Sequence, residues 1–336
     1  MQSRALAAPG TGLVILGIAL LHSPAHAAAG SCDRPCLEGF VDRYLDAVLA
    51  HDPKAAPFAP DAKFTENGQK LPLGDGLWRT LTAKGTYRMF VTDPRAGQVS
   101  FLGSIKEADT PAMLAVHLSV RGGKIAAAET LVQRNEKSGV GFEKIGYPWT
   151  ETVPSGERMS HDDLVKVANM YFSGMEKNNG KGAYPFAEDC NRIENGTFTT
   201  NAPTPEGQTR PDPKTSSNYS AQWSCREQFE SGLLHFVSRI RDRRYVSVDP
   251  ERGLVLAFTF FDHMAGDTRN FQTPDGRAVT AGPKTPWTWE IAEAFQIQHG
   301  KIHQIEAIME RVPYGMLSGW SNWDEGMSSK ARDVSK

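Results

Sequence analysis

The chain has 336 residues, with 37 Lys and Arg against 39 Asp and Glu, which gives a formal net charge of −2. This balance provides no extended basic surface for a phosphate backbone, so the composition argues against a nucleic-acid partner. The length is enough for two globular domains, each of which can bury its own core.

The amino-terminal residues have the pattern of a secretory signal peptide. Arg4 supplies a positive start, residues 12–21 an apolar run, and Ala25-His26-Ala27 a small-residue cleavage site. The apolar run is about 10 residues long, too short for the roughly 20 that a bilayer requires. We therefore predict a signal peptide over residues 1–27, a periplasmic or secreted protein, and no membrane span after the signal is removed.

The four cysteines are an even number in a chain predicted to be exported, which favours disulfides over metal ligation. The sequence permits three pairings, of which we favour Cys32 with Cys36 and Cys190 with Cys225. A zinc site would need all four to converge from opposite ends of the chain. We predict two disulfides and no metal site.

The first predicted domain begins with a helix and continues as strands. Apolar residues recur on one helical stripe over residues 37–49. A stretch broken by Pro and Gly leads to a Glu-Asn-Gly turn at Glu66, and a second helical piece contains Trp78. The runs that follow are rich in β-branched and aromatic residues and predict strands. They cover residues 99–105, 113–120 and 125–133.

The same order returns in the second predicted domain. A helical stripe covers residues 164–175, Glu-Asn-Gly recurs at Glu194, and a second helical piece is predicted over residues 226–239. The predicted strands cover residues 254–261, 287–297 and 302–311. Two insertions, residues 199–222 and 265–286, are dense in Pro, Gly, Thr and Asn, and loops of this length are usually functional or disordered.

The final strand shows the duplication most clearly. Gly-Lys-Ile-x-x-x-Glu followed by Arg occurs at residues 123–134 and again at residues 300–311 with identical spacing. Because the helices precede the strands in each copy, the chain is predicted to form an α+β layer rather than alternating βαβ units. Hairpins are predicted at Gly-Gly and His-Gly. The predicted boundaries are 1–27 for the signal, 31–154 and 158–323 for the two domains, and 324–336 for a carboxyl-terminal tail.

These landmarks resemble SnoaL-like members of the nuclear-transport-factor-two-like superfamily, and the resemblance covers both copies. It implies two tandem cone-shaped domains of the cystatin-like α+β type, each a curved antiparallel sheet wrapped around helices with an apolar pocket at its open end. Enzymes of the superfamily include ketosteroid isomerases, scytalone-type dehydratases and polyketide cyclases, which generally work without a metal or organic cofactor. The resemblance thus implies that no cofactor is needed.

A narrower similarity rests on three segments of the second copy. Residues 243–253, Phe260-Phe-Asp-His263, and residues 312–316 with Ser318-Gly-Trp320 are similar to a tandem family of secreted bacterial and fungal proteins described as a domain of unknown function. This similarity assigns no catalytic residue.

Candidate catalytic residues are polar groups within apolar runs, because burial moves a pKa toward neutrality. Asp262 and His263 close the apolar run that begins at Leu254, and alternation sends their side chains to opposite faces. One of them is an acid–base candidate; the alternative is an Asp that caps the strand end and a His that faces solvent. His235 is a further candidate, and its alternative is a histidine bonded to a backbone carbonyl.

Arg311 and Tyr314 follow the last strand, where a guanidinium and a phenol could stabilise an oxyanion. The alternative is an ion pair and a packed Tyr. Arg239, Arg241, Arg243 and Arg244 are interpreted as a solvated helix end rather than a ligand site.

Substrate contacts are predicted from residues of the second copy. They are Glu194, Glu306, Tyr171, Tyr219, Trp287 and Trp289. The two glutamates also recur in the first copy as Glu66 and Glu129, which favours a structural role for them.

The second copy holds five histidines, whereas the mature first copy holds two. This asymmetry predicts one working pocket, in the second domain. We predict a cofactor-independent lyase, dehydratase or isomerase acting on a small hydrophobic or aromatic molecule, for example a lignin-derived aryl compound. The alternatives are a carrier or sensor that uses the same pocket, and an assembly module; a homodimer is compatible with each.

Overall fold

The predicted repeat is visible in the order of helices and strands. The computed structural model describes Met1, residues 32–134 and residues 149–336, so the predicted signal peptide and its cleavage site lie outside the described residues. The first half, residues 32–134, contains α1 (Arg34–Leu49), β1 (Phe58–Glu66), β2 (Gln69–Lys70), β3 (Leu81–Asp93), β4 (Gln98–Glu107), β5 (Thr110–Arg121) and β6 (Lys124–Gln133).

The second half, residues 149–336, repeats this order with additions. Its elements are α2 (His161–Met175), β7 (Phe186–Glu194), β8 (Thr197–Phe198), α3 (Cys225–Glu230), β9 (Arg239–Asp249), β10 (Leu254–His263), β11 (Asn270–Gln272), β12 (Ala278–Thr280), β13 (Trp287–Gln298), β14 (Lys301–Val312), α4 (Trp323–Gly326) and β15 (Arg332–Asp333).

Each half forms one large sheet, which confirms the predicted α+β class with two tandem cone-like halves. The strand orders are β2-β1-β6-β5-β4-β3 and β15-β9-β10-β13-β14-β7-β8. The sheets are mixed rather than purely antiparallel, because β1 runs parallel to β6 and β7 runs parallel to β14. The central strands of each sheet pair in the antiparallel direction, including β5 with β6 and β13 with β14.

Capping residues fix the start of each long helix. The Asp33 side chain accepts a hydrogen bond from the backbone N–H of Cys36, and Ser160 caps α2 through the N–H of Asp163. Both helices therefore begin three residues before their predicted apolar stripes. The stripes then pack on the sheets, with Tyr44 and Tyr171 among the buried residues.

The predicted Glu-Asn-Gly turns have the backbone that their sequence favours. Asn67 and Asn195 both have a φ of 47°, in the left-handed region that Asn tolerates. Each Asn side chain also donates to a carbonyl on the last strand of its sheet, that of Val132 or Met309, at 3.0 Å. The turn thus fastens the first strand of each sheet to its parallel neighbour, β6 or β14.

The two sheets pack against each other within one compact unit, residues 32–336. Alternate residues of both sheets form an apolar layer between them, including Leu102, Leu131, Leu256 and Ile308. The opposite faces hold α1 in the first half, and α2 and α3 in the second. Each half therefore has its own core, and a third core joins the halves.

Two sequence predictions near α3 are wrong. The helix predicted over residues 226–239 ends at Glu230, because Gly232 has a φ of 70° and the chain turns before β9. The arginines interpreted as a solvated helix end lie on β9, where Arg241, Arg243 and Arg244 are buried and paired with acidic side chains.

Both predicted disulfides are present, Cys32–Cys36 and Cys190–Cys225. The second joins β7 to the start of α3. The hairpin residues Phe271 and Val279 of the second insertion form a small apolar cluster with Trp223 and Leu233, which lie on either side of α3. The predicted tail adds β15 in parallel to β9. No helix in the described ranges is long and apolar enough to cross a membrane.

Candidate functional site

Three polar side chains lie in the otherwise apolar core between the second sheet and its helices. Alternation along β13 turns Ile291, Glu293 and Phe295 toward this core, and Glu293 is 1% exposed. Arg192 from β7 and Tyr171 from α2 are also buried. We call Glu293, Arg192 and Tyr171 the core polar cluster.

The core polar cluster is only partly satisfied by the protein. The Arg192 guanidinium lies 5.7 Å from the centroid of the Tyr171 ring and donates to Gln228 Oε1 at 2.7 Å and to the carboxylate of Glu194. Within the described ranges, no hydrogen bond of normal geometry reaches Arg192 Nε, the Tyr171 hydroxyl or Glu293 Oε2. Buried polar groups are normally paired, so the cluster is suited to receiving polar atoms of a ligand.

Burial also changes the acidity of this cluster. Burial raises the pKa of Glu293 to about 8, against the opposing effects of Arg192 and the Tyr171 hydroxyl. Burial likewise raises the pKa of Tyr171 well above its usual value, so its hydroxyl stays protonated. A carboxyl group with a pKa near neutrality can both accept and release a proton under working conditions.

The strand registers show which residues occupy equivalent positions in the two halves. Glu129 pairs with His117 in the first sheet, and its sequence counterpart Glu306 pairs with Ala294 in the second. The residue before His117 is Val116, which is therefore the counterpart of Glu293.

The parallel strand pairs give a second set of counterparts. Thr65 lies opposite Glu129, and Ile193 lies opposite Glu306. The preceding residues, Phe64 and Arg192, therefore occupy equivalent positions.

The first core is apolar where the second is polar. Phe64 and Val116 are both at least 98% buried, whereas their counterparts are Arg192 and Glu293. The tyrosine is retained, since Tyr44 and Tyr171 are each the eleventh residue of their helix. The same fold thus accommodates Phe and Val at these positions, so it does not require a buried Arg and Glu.

A sequence profile described as Domain of unknown function (DUF8021) matches residues 31–132 and 157–309, in both halves of the chain. The chain belongs to this family. No curated protein sequence matches it.

Several solved structures match part of this DUF8021 chain at low identity. A protein from Sphaerobacter thermophilus is 18% identical, with a TM-score of 0.24 over 29% of this chain and 94% of that chain. An NTF2-like protein of unknown function from Cytophaga hutchinsonii is 10% identical, with a TM-score of 0.25 over 29% and 89%. A de novo designed protein with a curved β-sheet is 16% identical, with a TM-score of 0.24 over 45% and 88%. At these scores the matches carry no argument about the site.

Aromatic side chains continue from the core polar cluster along the same face of the DUF8021 sheet. The His263 ring is 3% exposed and stacks 4.0 Å from Trp287, which contacts Trp289 edge-on at 4.8 Å. The Phe236 ring lies on the other side of His263, at 5.9 Å. Burial lowers the pKa of His263 to about 4, and its Nδ1 has no hydrogen-bond partner in the described part of the chain. His263 is therefore a neutral imidazole at neutral pH.

Five of the six predicted substrate-binding residues border this face. Tyr171 belongs to the core polar cluster, and Glu194 accepts from Arg192. Trp287 and Trp289 belong to the aromatic row. The ring of Tyr219, which the first insertion carries, lies 6.0 Å from that of Phe236. Their role in binding stays a prediction.

Glu306, the sixth, points to the opposite face of the sheet. Its carboxyl group accepts from the Tyr87 hydroxyl and from Trp149 Nε1 at 3.1 Å, and burial raises its pKa to about 7. It joins the two halves and does not border the core polar cluster.

Asp262 also points away from the core polar cluster and is fully buried. Its Oδ2 accepts from Arg239 at 2.6 Å and 2.8 Å and from Arg241 at 2.9 Å, and its Oδ1 accepts from Thr288 at 2.7 Å. Both oxygens are occupied, so the geometry favours a structural role over proton transfer.

His235 and Tyr314 lie apart from the core polar cluster. His235 Nδ1 is 3.1 Å from the Asn178 carbonyl oxygen, and its ring stacks on Phe271 at 4.8 Å. Tyr314 is 42% exposed. The arrangement of His235 matches its alternative interpretation, a histidine bonded to the backbone.

Glu293 and Arg192 are not among the predicted site residues. Glu293 lies in the strand predicted over residues 287–297, and Arg192 lies in a strand outside the predicted ones. Aligning the two copies position by position would have found them, because Val116 and Phe64 occupy their places in the first copy.

Two other polar sites lie outside this region, and ion pairs within the protein occupy charged groups of each. In the described part of the chain, the ligand atoms of His161, Asp162 and Asp333 lie within 4.8 Å of one another. However, the Lys336 ammonium is 2.6 Å from Asp162 and 3.2 Å from Asp333. This ammonium group occupies the position that a cation would take.

A cleft of about 540 Å³ separates the two insertions and is lined in part by Pro274. Four of its charged groups are paired, Arg210 with Glu227 at 2.5 Å and Arg277 with Asp275 at 2.9 Å. The core polar cluster is a stronger candidate for proton chemistry, because its groups are buried and only partly satisfied within the described residues.

Proposed function

We propose that the second half is a cofactor-independent acid–base enzyme that acts on a small hydrophobic or aromatic carbonyl compound, as a lyase, dehydratase or isomerase. The observation that carries this proposal is the contrast at equivalent positions. Arg192 and Glu293 are charged or titratable groups in the second core, and Phe64 and Val116 replace them in the first. The two disulfides fit an exported protein, in the periplasm or outside the cell.

Glu293 is the proton acceptor in this proposal. Its neighbours across the sheet are the small residues Ala257 and Ala307. The Oε2 atom takes a proton from a carbon next to the substrate carbonyl. The C–H bond breaks, and its electron pair moves into the carbonyl group to form an enolate. About one tenth of Glu293 is ionised at pH 7 if its pKa is about 8.

Tyr171 and Arg192 stabilise the resulting oxyanion. The Tyr171 hydroxyl and the Arg192 Nε–H are buried donors without a partner of normal geometry in the described ranges. Donors held in place before the reaction stabilise developing negative charge strongly in a site shielded from water. Returning the proton to a different atom gives isomerisation, and loss of a β-hydroxyl group gives dehydration.

Hydrogen–deuterium exchange tests the proton-transfer step without knowledge of the product. The full chain is incubated in D₂O with a panel of aryl ketones and aryl aldehydes that carry α-protons, and loss of the α-proton signal is followed by NMR. We expect exchange that depends on the protein for at least one compound. Glu293→Gln should reduce its rate by about 10² to 10⁴, the usual contribution of a positioned base.

Glu306→Gln is the matched control. It also removes a buried carboxyl group with a raised pKa, but on the opposite face of the same sheet. Its exchange rate should equal that of the wild type. Equal rates for the wild type and Glu293→Gln would contradict the proposal. Binding of a compound without any exchange would support a carrier or sensor instead.

A further inference from the structure

Arg311 lacks the ion pairs that its counterpart makes. Its guanidinium lies 5.0 Å from the centroid of the Trp287 ring, and no acidic side chain pairs with it in the described part of the chain. Arg134, at the same place in the repeated final-strand motif, donates to Glu107 at 2.5 Å and to Glu66 at 2.6 Å. Among the described residues, one arginine is neutralised and the other is not.

The strand registers explain why the partners of Arg311 are missing. Glu107 pairs with Thr110 in the first sheet, and His263 pairs with Trp287 at the equivalent place in the second. The carboxylate that neutralises Arg134 is thus replaced by a neutral imidazole. The second partner is also lost, because Glu194, the counterpart of Glu66, accepts from Arg192 instead.

We propose that Arg311, Trp287 and His263 form a subsite for the carboxylate of an aromatic ligand. The ligand carboxylate would take the place that Glu107 occupies in the first half and bind the Arg311 guanidinium. Trp287 supplies a flat surface for the adjoining ring. His263, which is 97% buried and has no hydrogen-bond partner at Nδ1 among the described residues, supplies a further polar contact.

The proposal of this subsite rests on the proposed function and specifies its substrate class. Arg311 lies directly across from Trp289, four residues along β13 from Glu293. Four residues of a strand span about 13 Å. Between them the same face carries Ile291 and Met309, which are apolar. The substrate class is therefore an aromatic carboxylic acid whose reacting carbon is separated from the carboxylate by an apolar segment.

Binding of a matched acid and amide tests the subsite in the full chain. The probes are biphenyl-4-carboxylate and biphenyl-4-carboxamide, and the readouts are calorimetry and quenching of tryptophan fluorescence. The wild type should bind the acid at least about tenfold more tightly than the amide, because a hydrogen bond to a charged group is the stronger one. Arg311→Gln should abolish this difference while leaving amide binding unchanged.

Two further variants sharpen the test. Arg134→Gln is the matched control at the equivalent position of the first half and should leave the preference for the acid unchanged. His263→Glu introduces a carboxylate where the first half has Glu107 and should abolish acid binding by pairing with Arg311. If that variant does not fold, Arg311→Gln against Arg134→Gln still decides the question. Equal affinity for acid and amide, a preference that survives in Arg311→Gln, or no binding of either probe overturns the proposal.

The outcome is separable from that of the proposed function. Acid binding that depends on Arg311, without α-proton exchange in any compound, supports the subsite and contradicts the enzyme. Exchange that depends on Glu293, with no effect of Arg311→Gln on any carboxylate, supports the enzyme and contradicts the subsite.

Discussion

The Arg244 guanidinium holds the Glu129 carboxylate across the two halves, with hydrogen bonds of 2.7 Å from both of its terminal nitrogens. The second repeated glutamate, Glu306, is bonded in turn by Tyr87 of the first half. Strand β9 thus reaches β6, and β3 reaches β14. This reciprocity is typical of a twofold-symmetric dimer interface, here built into one chain.

Breaking the Arg244–Glu129 pair should destabilise the protein strongly. Arg244→Met leaves Glu129 buried without its cation, and loss of one partner of a buried pair costs about 3–5 kcal/mol. The double variant Arg244→Met, Glu129→Leu should recover most of this loss. Urea unfolding provides the measurement. Arg79→Met is the control, because the Arg79–Asp75 pair is exposed and is worth at most about 1 kcal/mol.

The two disulfides should contribute unequally to stability. Closing a loop removes entropy from the unfolded chain in proportion to the logarithm of its length. Cys190 and Cys225 are 35 residues apart, and Cys32 and Cys36 only 4. We expect about 4 kcal/mol from the first and about 2 kcal/mol from the second. Thermal unfolding of the two double Cys→Ala variants compares them, and a larger loss for Cys32→Ala, Cys36→Ala would contradict the loop-length argument.

The sequence predicted the fold better than the site because the two depend on different information. Apolar stripes, turn residues and the repeated final strand depend on local periodicity. The two long helices and six of the ten described strands of nine or more residues were therefore predicted close to their observed positions. The parallel pairs, β1 with β6 in the first sheet and β7 with β14 and β15 with β9 in the second, have no local signature. Asp262 and His263 are adjacent in sequence, yet only the sheet register shows that His263 shares its face with Glu293 while Asp262 is bonded by arginines from β9.

Replacing Arg192 and Glu293 of the second core by the residues of the first should separate stability from function. The double variant Arg192→Phe, Glu293→Val should unfold within about 1 kcal/mol of the wild type or above it, because well-packed apolar residues often replace buried polar groups without loss. Its α-proton exchange should be absent. Chemical denaturation and the NMR assay together check this prediction. A loss of more than about 3 kcal/mol would assign the pair a structural role instead.

The stability of the protein should fall as the pH rises from about 6.5 to 8. The folded-state pKa values of Glu293 and Glu306 are raised to about 8 and about 7, so the folded chain holds protons that the unfolded chain has already released. The unfolded state then binds fewer protons, and the free energy of unfolding decreases with pH.

Two histidines act in the opposite direction at lower pH. Burial lowers the pKa of His117 to about 3 and that of His263 to about 4, so their contribution to stability is lost as the pH falls below about 6.5. The histidines therefore oppose the effect of the carboxyl groups on stability below pH 6.5. Above pH 6.5 the carboxyl groups dominate the pH dependence of stability. Unfolding free energies measured between pH 6.5 and 8 should therefore decline in the wild type and decline less in Glu293→Gln, which has no proton to lose. An identical slope in the two proteins would mean that the pKa of Glu293 in the folded chain has its ordinary value. The carboxyl group would then be poorly suited to proton transfer near neutrality.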